Sequence, residues 1–112
     1  PIIGEWEFEL FMGEDSDSIT KETFSILGYE NIFFRATKDY YELGIPSNIF
    51  KNDTWTKVTD EALTEKYAYV YSLDESNRVL AVIESKEDLN TLHIFINSDS
   101  GTTLLEFSRV EE

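Results

Sequence analysis

Residues 2–11 read "IIGEWEFELF", with Glu5, Glu7 and Glu9 alternating against Trp6, Phe8 and Leu10. Successive side chains of a strand point to opposite faces, so this period of two marks a strand with one buried side. Carried on to Met12, the alternation places Trp6, Phe8, Leu10 and Met12 inward and Glu5, Glu7, Glu9 and Phe11 outward. Carboxylates along the outer face discourage edge pairing with a neighbouring molecule. The apolar side must face a packed core, a ligand cavity or a partner.

The rest of the chain repeats the pattern at short intervals. After the polar loop "GEDSDS" (13–18), "TKETFSIL" (20–27) alternates Phe24 and Ile26 and is rich in β-branched residues before Gly28, which predicts a strand; Thr20 and Glu22 fit a short helix start as the alternative. "YENIFFRAT" and "KDYYELGI" predict two strands joined near Thr37 to Asp39 and halted by Gly44 and Pro46. "NDTWTKV" (52–58) predicts a short strand opened by the Asn52-Asp53 pair. "TDEALTEK" (59–66) is the one helical candidate, with Thr59 or Asp60 as cap, acids in the first turn and Lys66 at the end. "KYAYVYSL" places Tyr67, Tyr69 and Tyr71 on one face, turns through "DESN" (74–77) and returns as "RVLAVIES". "TLHIFIN" puts Leu92, Ile94 and Ile96 on one face, turns through "SDSG" (98–101), where Gly101 supplies a positive φ, and returns as "TTLLEFSRV".

A chain of 112 residues is one domain, long enough to bury a single core. Eight Phe, six Tyr and two Trp supply large apolar area without long aliphatic helices. About eight strands joined mainly by hairpins give an antiparallel meander whose apolar face must close on itself or be covered. With one short helix available as cover, closure into an all-β, up-and-down barrel is expected. The alternative is an α+β fold, with "TKETFSIL" and "TDEALTEK" as helices over an open sheet.

Gly4-Glu5-Trp6 resembles the opening G-x-W signature of lipocalins and related calycin barrels, whose last strand carries an Arg over that Trp at the closed end. Here Arg109 lies in "LEFSRVEE" on the face of Leu105 and Phe107, and Gly4, Trp6 and Arg109 are the residues the resemblance assigns to barrel closure. An Arg on an apolar strand face needs a partner, and an indole offers a cation–π contact of about 0.5–2 kcal/mol. The chain is shorter than ordinary lipocalins, lacks a long helix after the last strand and has no late T-D-Y motif; "TKDYY" (37–41) comes early and carries an insertion. It is more similar to short bacterial lipocalin-like domains, which are often exported lipoproteins. That similarity implies an extracytoplasmic location. The start at Pro1 without an initiator Met fits a removed signal peptide and equally a segment chosen from a longer chain.

With no cysteine there are no disulfides, thiolate zinc sites or cysteine nucleophiles. A formal charge of −14 repels phosphate backbones and anionic lipid, so no nucleic-acid partner is expected. No stretch approaches the ~20 apolar residues of a membrane-spanning helix. Lone His93 has no readable nucleophile and orienting acid, and no phosphate-binding glycine loop occurs, so no enzymatic activity and no cofactor are expected. Glu14, Asp15 and Asp17 are hard oxygen ligands, but the spacing lacks the Gly and distal Glu of a calcium loop, and no metal is assigned.

Phe8, Phe24, Phe33, Tyr40, Tyr67 and Tyr69 are the interior candidates. They fill a small barrel, which is only just wide enough for side chains, or line a pocket for a small hydrophobic or amphipathic ligand. The expected function is accordingly a non-enzymatic, lipocalin-like domain with a small ligand in the barrel. The alternative is an acidic protein-interaction module or inhibitor, imitating nucleic acid, around a filled core.

Overall fold

The computed structural model describes residues 2–15, 17–76 and 78–110. Ser16 of the "GEDSDS" loop, Asn77 of the "DESN" turn and Pro1 lie outside the described residues. Among the described residues ten strands and two short helices follow in the order β1 (Gly4–Met12), β2 (Ser18–Thr20), α1 (Lys21–Ile26), β3 (Phe33–Ala36), β4 (Tyr40–Ile45), β5 (Asn48–Thr54), β6 (Thr56–Lys57), α2 (Glu61–Lys66), β7 (Tyr69–Ser72), β8 (Val79–Ile83), β9 (Thr91–Ser98) and β10 (Gly101–Arg109).

All strand pairs are antiparallel, and the spatial order β5-β4-β3-β1-β10-β9-β8-β7-β6 is a meander whose first and last long strands have met. β5 and β6 are one bent segment broken at Trp55, pairing with β4 on one side and β7 on the other. Counting that segment as one stave and leaving the short β2 aside gives eight staves. The result is a nearly closed antiparallel barrel with a seam along the free edge of β5. Two devices protect that edge. A bulge at Phe50 interrupts the β4–β5 register, and Lys51, opposite Leu43, puts a charge on the inner face.

The pairing of β1 with β10 sets Trp6 opposite Arg109 and Phe8 opposite Phe107, then slips so that Leu10 faces Glu106. Glu9 is the extra residue, a β-bulge that reverses the alternation beyond it. Phe11, opposite the core residue Leu105, therefore turns inward and packs against the core. Leu10 and Met12, opposite Glu106 and Leu104, take the outer side. The strict alternation expected through Met12 thus holds only as far as Phe8.

"TKETFSIL" divides into β2 and α1 rather than forming one strand. The Thr20 hydroxyl accepts from the Thr23 amide at 3.3 Å and caps the helix, and Gly28 at φ +85° ends the excursion. α2 is the helix expected from "TDEALTEK", capped by Asp60, whose carboxylate accepts from the Ala62 amide at 2.9 Å. β5 begins at Asn48, earlier than the expected opening at Asn52-Asp53, because the chain reverses between Ile45 and Asn48. Among the described residues no helix is long and apolar enough to cross a membrane.

Candidate functional site

The closed end of the barrel is built from both chain ends. The Arg109 guanidinium lies 4.2 Å from the Trp6 ring centroid, donates from Nη1 to the Ile3 carbonyl at 2.9 Å and from Nη2 to the Leu89 carbonyl at 3.2 Å. The Trp6 indole N–H in turn donates to the Ile2 carbonyl at 3.0 Å, which lets the whole ring be buried. Gly4 has φ +140°, and a Cβ there would stand 2.7 Å from Arg109 Nη1. Gly4, Trp6 and Arg109 are therefore one contact. Gly4→Ala should cost about 1–3 kcal/mol through backbone strain and displacement of the guanidinium, read by urea denaturation.

Above this closure the lumen holds rings. Phe8, Phe34, Phe107 and Tyr41 are all nearly inaccessible. Their centroids lie 5.9–6.3 Å apart in the pairs Phe34–Tyr41, Phe34–Phe107 and Phe8–Phe107. These separations are ordinary for packed aromatic pairs. The Tyr41 hydroxyl donates to the Leu73 carbonyl at 2.5 Å, tying β4 to the far side of the seam. At the other end, where β1 exchanges β3 for β2 as its neighbour, α1 lowers Phe24 onto Phe8 at 5.0 Å. α1 itself buries no residue fully, and Ile26 and Leu27 are exposed.

The six interior candidates are divided by strand parity. Phe8 faces the lumen, and Tyr69, opposite Ile83, packs against the core. Phe24 reaches the core from a helix. Phe33, opposite Gly44, lies on the outer face beneath the Arg35 guanidinium, 5.1 Å from its centroid. Tyr40, one step from the inward Tyr41, is exposed. Tyr67 precedes β7 and packs outside against Phe95, 6.2 Å away. Phe33, Tyr40 and Tyr67 are thus corrected to the outside. Phe34, Tyr41, Tyr71 and Phe107 are the principal inner aromatics besides Trp6 and Phe8; the alternation of "FF" at 33–34 and "YY" at 40–41 carries no label saying which member turns in.

His93 sits on the outer face between two acids. Nε2 is 2.9 Å from Glu106 Oε1, while Nδ1 is buried and makes no hydrogen bond among the described residues, with Glu84 Oε1 3.3 Å away in poor alignment. Glu14 accepts from the Ser100 and Ser98 hydroxyls at 2.8 Å each, and these bonds hold its carboxyl below the ordinary range. The Glu14 carboxylate thus ties the "GEDSDS" loop to the β9–β10 turn. Among the described residues no group of three potential ligands is arranged to hold a metal ion.

The outer face of β1, β3, β4 and β5 carries two cross-strand rows, Glu5–Arg35–Glu42–Asn52 and Glu7–Phe33–Gly44–Ile49. Arg35 Nε is 2.7 Å from Glu42, and Lys21 Nζ lies 3.4 Å from Glu9 and 3.6 Å from Glu7. A cleft of about 360 Å³ opens along these rows, with Phe33, Pro46, Ile49 and Val110 among its walls. A second, of about 430 Å³, lies between α1 and β1 and reaches Phe8. No family model, curated protein or solved structure matches the chain.

Proposed function

We propose that this chain is a non-enzymatic binding module of lipocalin-like type that engages a protein partner through its outer acidic surface, its interior serving as a filled core. One observation carries the proposal: Trp6, Phe8, Phe34, Tyr41 and Phe107 occupy the lumen with relative exposures of 0–1%. A carrier that keeps its ligand in the barrel needs that volume free, and displacing packed rings costs more than a small apolar ligand returns. The −14 charge favours a basic partner by steering and by complementarity. The Gly4–Trp6–Arg109 contact supports the lipocalin-like kinship proposed from the sequence, while the filled lumen argues against the transport role that kinship first suggests.

The test is a fluorescence titration with hydrophobic dyes and fatty acids. No saturable uptake is expected; stoichiometric uptake displaced by lipid would return the interior to a carrier role. A second reading has its own observation, the cleft that reaches Phe8 under a helix anchored mainly by Phe24. There α1 serves as a lid over a small amphipathic ligand. Phe24→Ala distinguishes the two: dye uptake stays absent for a filled core, and appears if the helix covers a site.

A further inference from the structure

We infer that the trough over the outer face of β1, β3 and β5 docks an extended segment of a partner protein that sets an aliphatic side chain beside a lysine or arginine. The inference rests on the outer-surface function proposed above and gives it a place and a ligand chemistry.

The trough follows one cross-strand row of the outer face, from Glu7 through Phe33 to Ile49. Between Phe33 and Ile49 that row carries only Gly44, and no side chain fits there: a Cβ would stand 2.5 Å from the Asn48 carbonyl oxygen and 2.8 Å from Ile49 Cα, so the β5 backbone itself covers Gly44. The trough lies on the outer face beside that backbone. Its walls are apolar, Phe33 on one side and Ile49 with Pro46 on the other, and Ile49 is 37% exposed. The cleft between these walls, of about 360 Å³, has room for an aliphatic side chain.

The rim has the opposite sign to the expected partner. Glu5 and Glu7 stand on the outer face of β1 along the cleft, and Glu7 is 55% exposed. Of the nearby cations, Arg35 is engaged by Glu42 and by the Phe33 ring, and Lys21 lies between Glu7 and Glu9. Lys21 demonstrates the chemistry: an ammonium on a flexible stem reaches this carboxylate row at 3.4–3.6 Å. Farther down, Glu5 stands opposite Arg35 and shares that cation with Glu42, so the rim carries more carboxylates than cations. An acidic or purely apolar partner would leave these carboxylates repelled or stripped of water, whereas a basic residue next to an aliphatic one satisfies both halves of the trough.

The experiment titrates the ¹⁵N-labelled chain with a short peptide of alternating Lys and Leu, with the same peptide carrying Glu for Lys, and with one carrying Gly for Leu. Amide shift changes should gather on residues of β1, β3 and β5 with the Lys-Leu peptide only, and weaken between low and high salt. Glu5→Gln combined with Glu7→Gln should raise Kd roughly tenfold, and Phe33→Ala should do so severalfold, with unfolding midpoints held near the parent. Binding that maps elsewhere, survives these substitutions, or is absent at millimolar peptide overturns the trough while leaving an outer-surface module possible on another face. Dye or fatty-acid uptake into the barrel overturns that function itself.

Discussion

Trp6→Ala should lower the unfolding free energy by about 3–5 kcal/mol, the range for deleting a fully buried aromatic. The ring is 1% exposed and is bounded by the guanidinium above it and the Ile2 carbonyl at its N–H. Its loss leaves a cavity, an unpaired carbonyl and a cation without its platform. Denaturant unfolding by circular dichroism reads the effect, and a double-mutant cycle isolates its electrostatic part. Pairing Trp6→Leu with Arg109→Met should give a coupling of about 0.5–2 kcal/mol, the value of a partly shielded cation–π contact. A coupling near zero would reduce the arrangement to independent packing.

Tyr41→Ala should have a comparable cost of about 3–5 kcal/mol, since the ring stacks on Phe34 and is 1% exposed. Tyr41→Phe, which removes only the hydroxyl bound to the Leu73 carbonyl, should cost about 1–3 kcal/mol by leaving that acceptor unpaired. The same residue makes stability sensitive to alkali. Burial pushes the phenols of Tyr41 and Tyr71 above the usual tyrosine range, and the nearby Asp53 and Asp74 carboxylates push Tyr41 further the same way. In the unfolded chain a tyrosine ionises near pH ~10, so the unfolded state releases its proton first. The stability is therefore whole below about pH 10 and declines as pH rises from there toward the folded-state values, by up to about 1.4 kcal/mol per pH unit for each tyrosine. Urea titrations between pH 8 and ~11 should show this decline, with a smaller slope in Tyr41→Phe. An unchanged slope would mean that Tyr41 ionises in place.

Much of the barrel was legible because closure leaves local traces. Alternation in β1, β7, β9 and β10 gave the meander, and Arg109 on the face of Leu105 and Phe107 pointed to a meeting of the ends that the Trp6–Arg109 pairing bears out. Asp60 and the acids after it announced α2. What escaped was set by tertiary context. The bulge at Glu9 is a compromise between β1 and β10, and only the partner strand reveals the slip. Thr20 caps α1 although the segment's β-branched residues favour a strand, because Phe24 is needed over Phe8. In paired aromatics such as Phe33-Phe34 and Tyr40-Tyr41 either parity buries a ring, so register across the sheet decides. Gly44 escaped for a related reason: it looked like a strand stop, and the close approach that requires a glycine there comes from a bulge in the next strand.

The partnership of β1 with β10 has a consequence during synthesis. Trp6 and Arg109 stand opposite each other although 102 residues of chain separate them, so one edge of β1 waits until those residues have left the ribosome, while β3 pairs its other edge earlier. At about 5–20 residues per second that wait lasts several seconds, during which a strand displaying Trp6 and Phe8 is open to wrong neighbours. The carboxylates interleaved with those rings hold copies of the nascent strand apart by repulsion until the last strand arrives. A charge-neutral version of residues 5–9 would be expected to aggregate on the way to a fold it can still adopt.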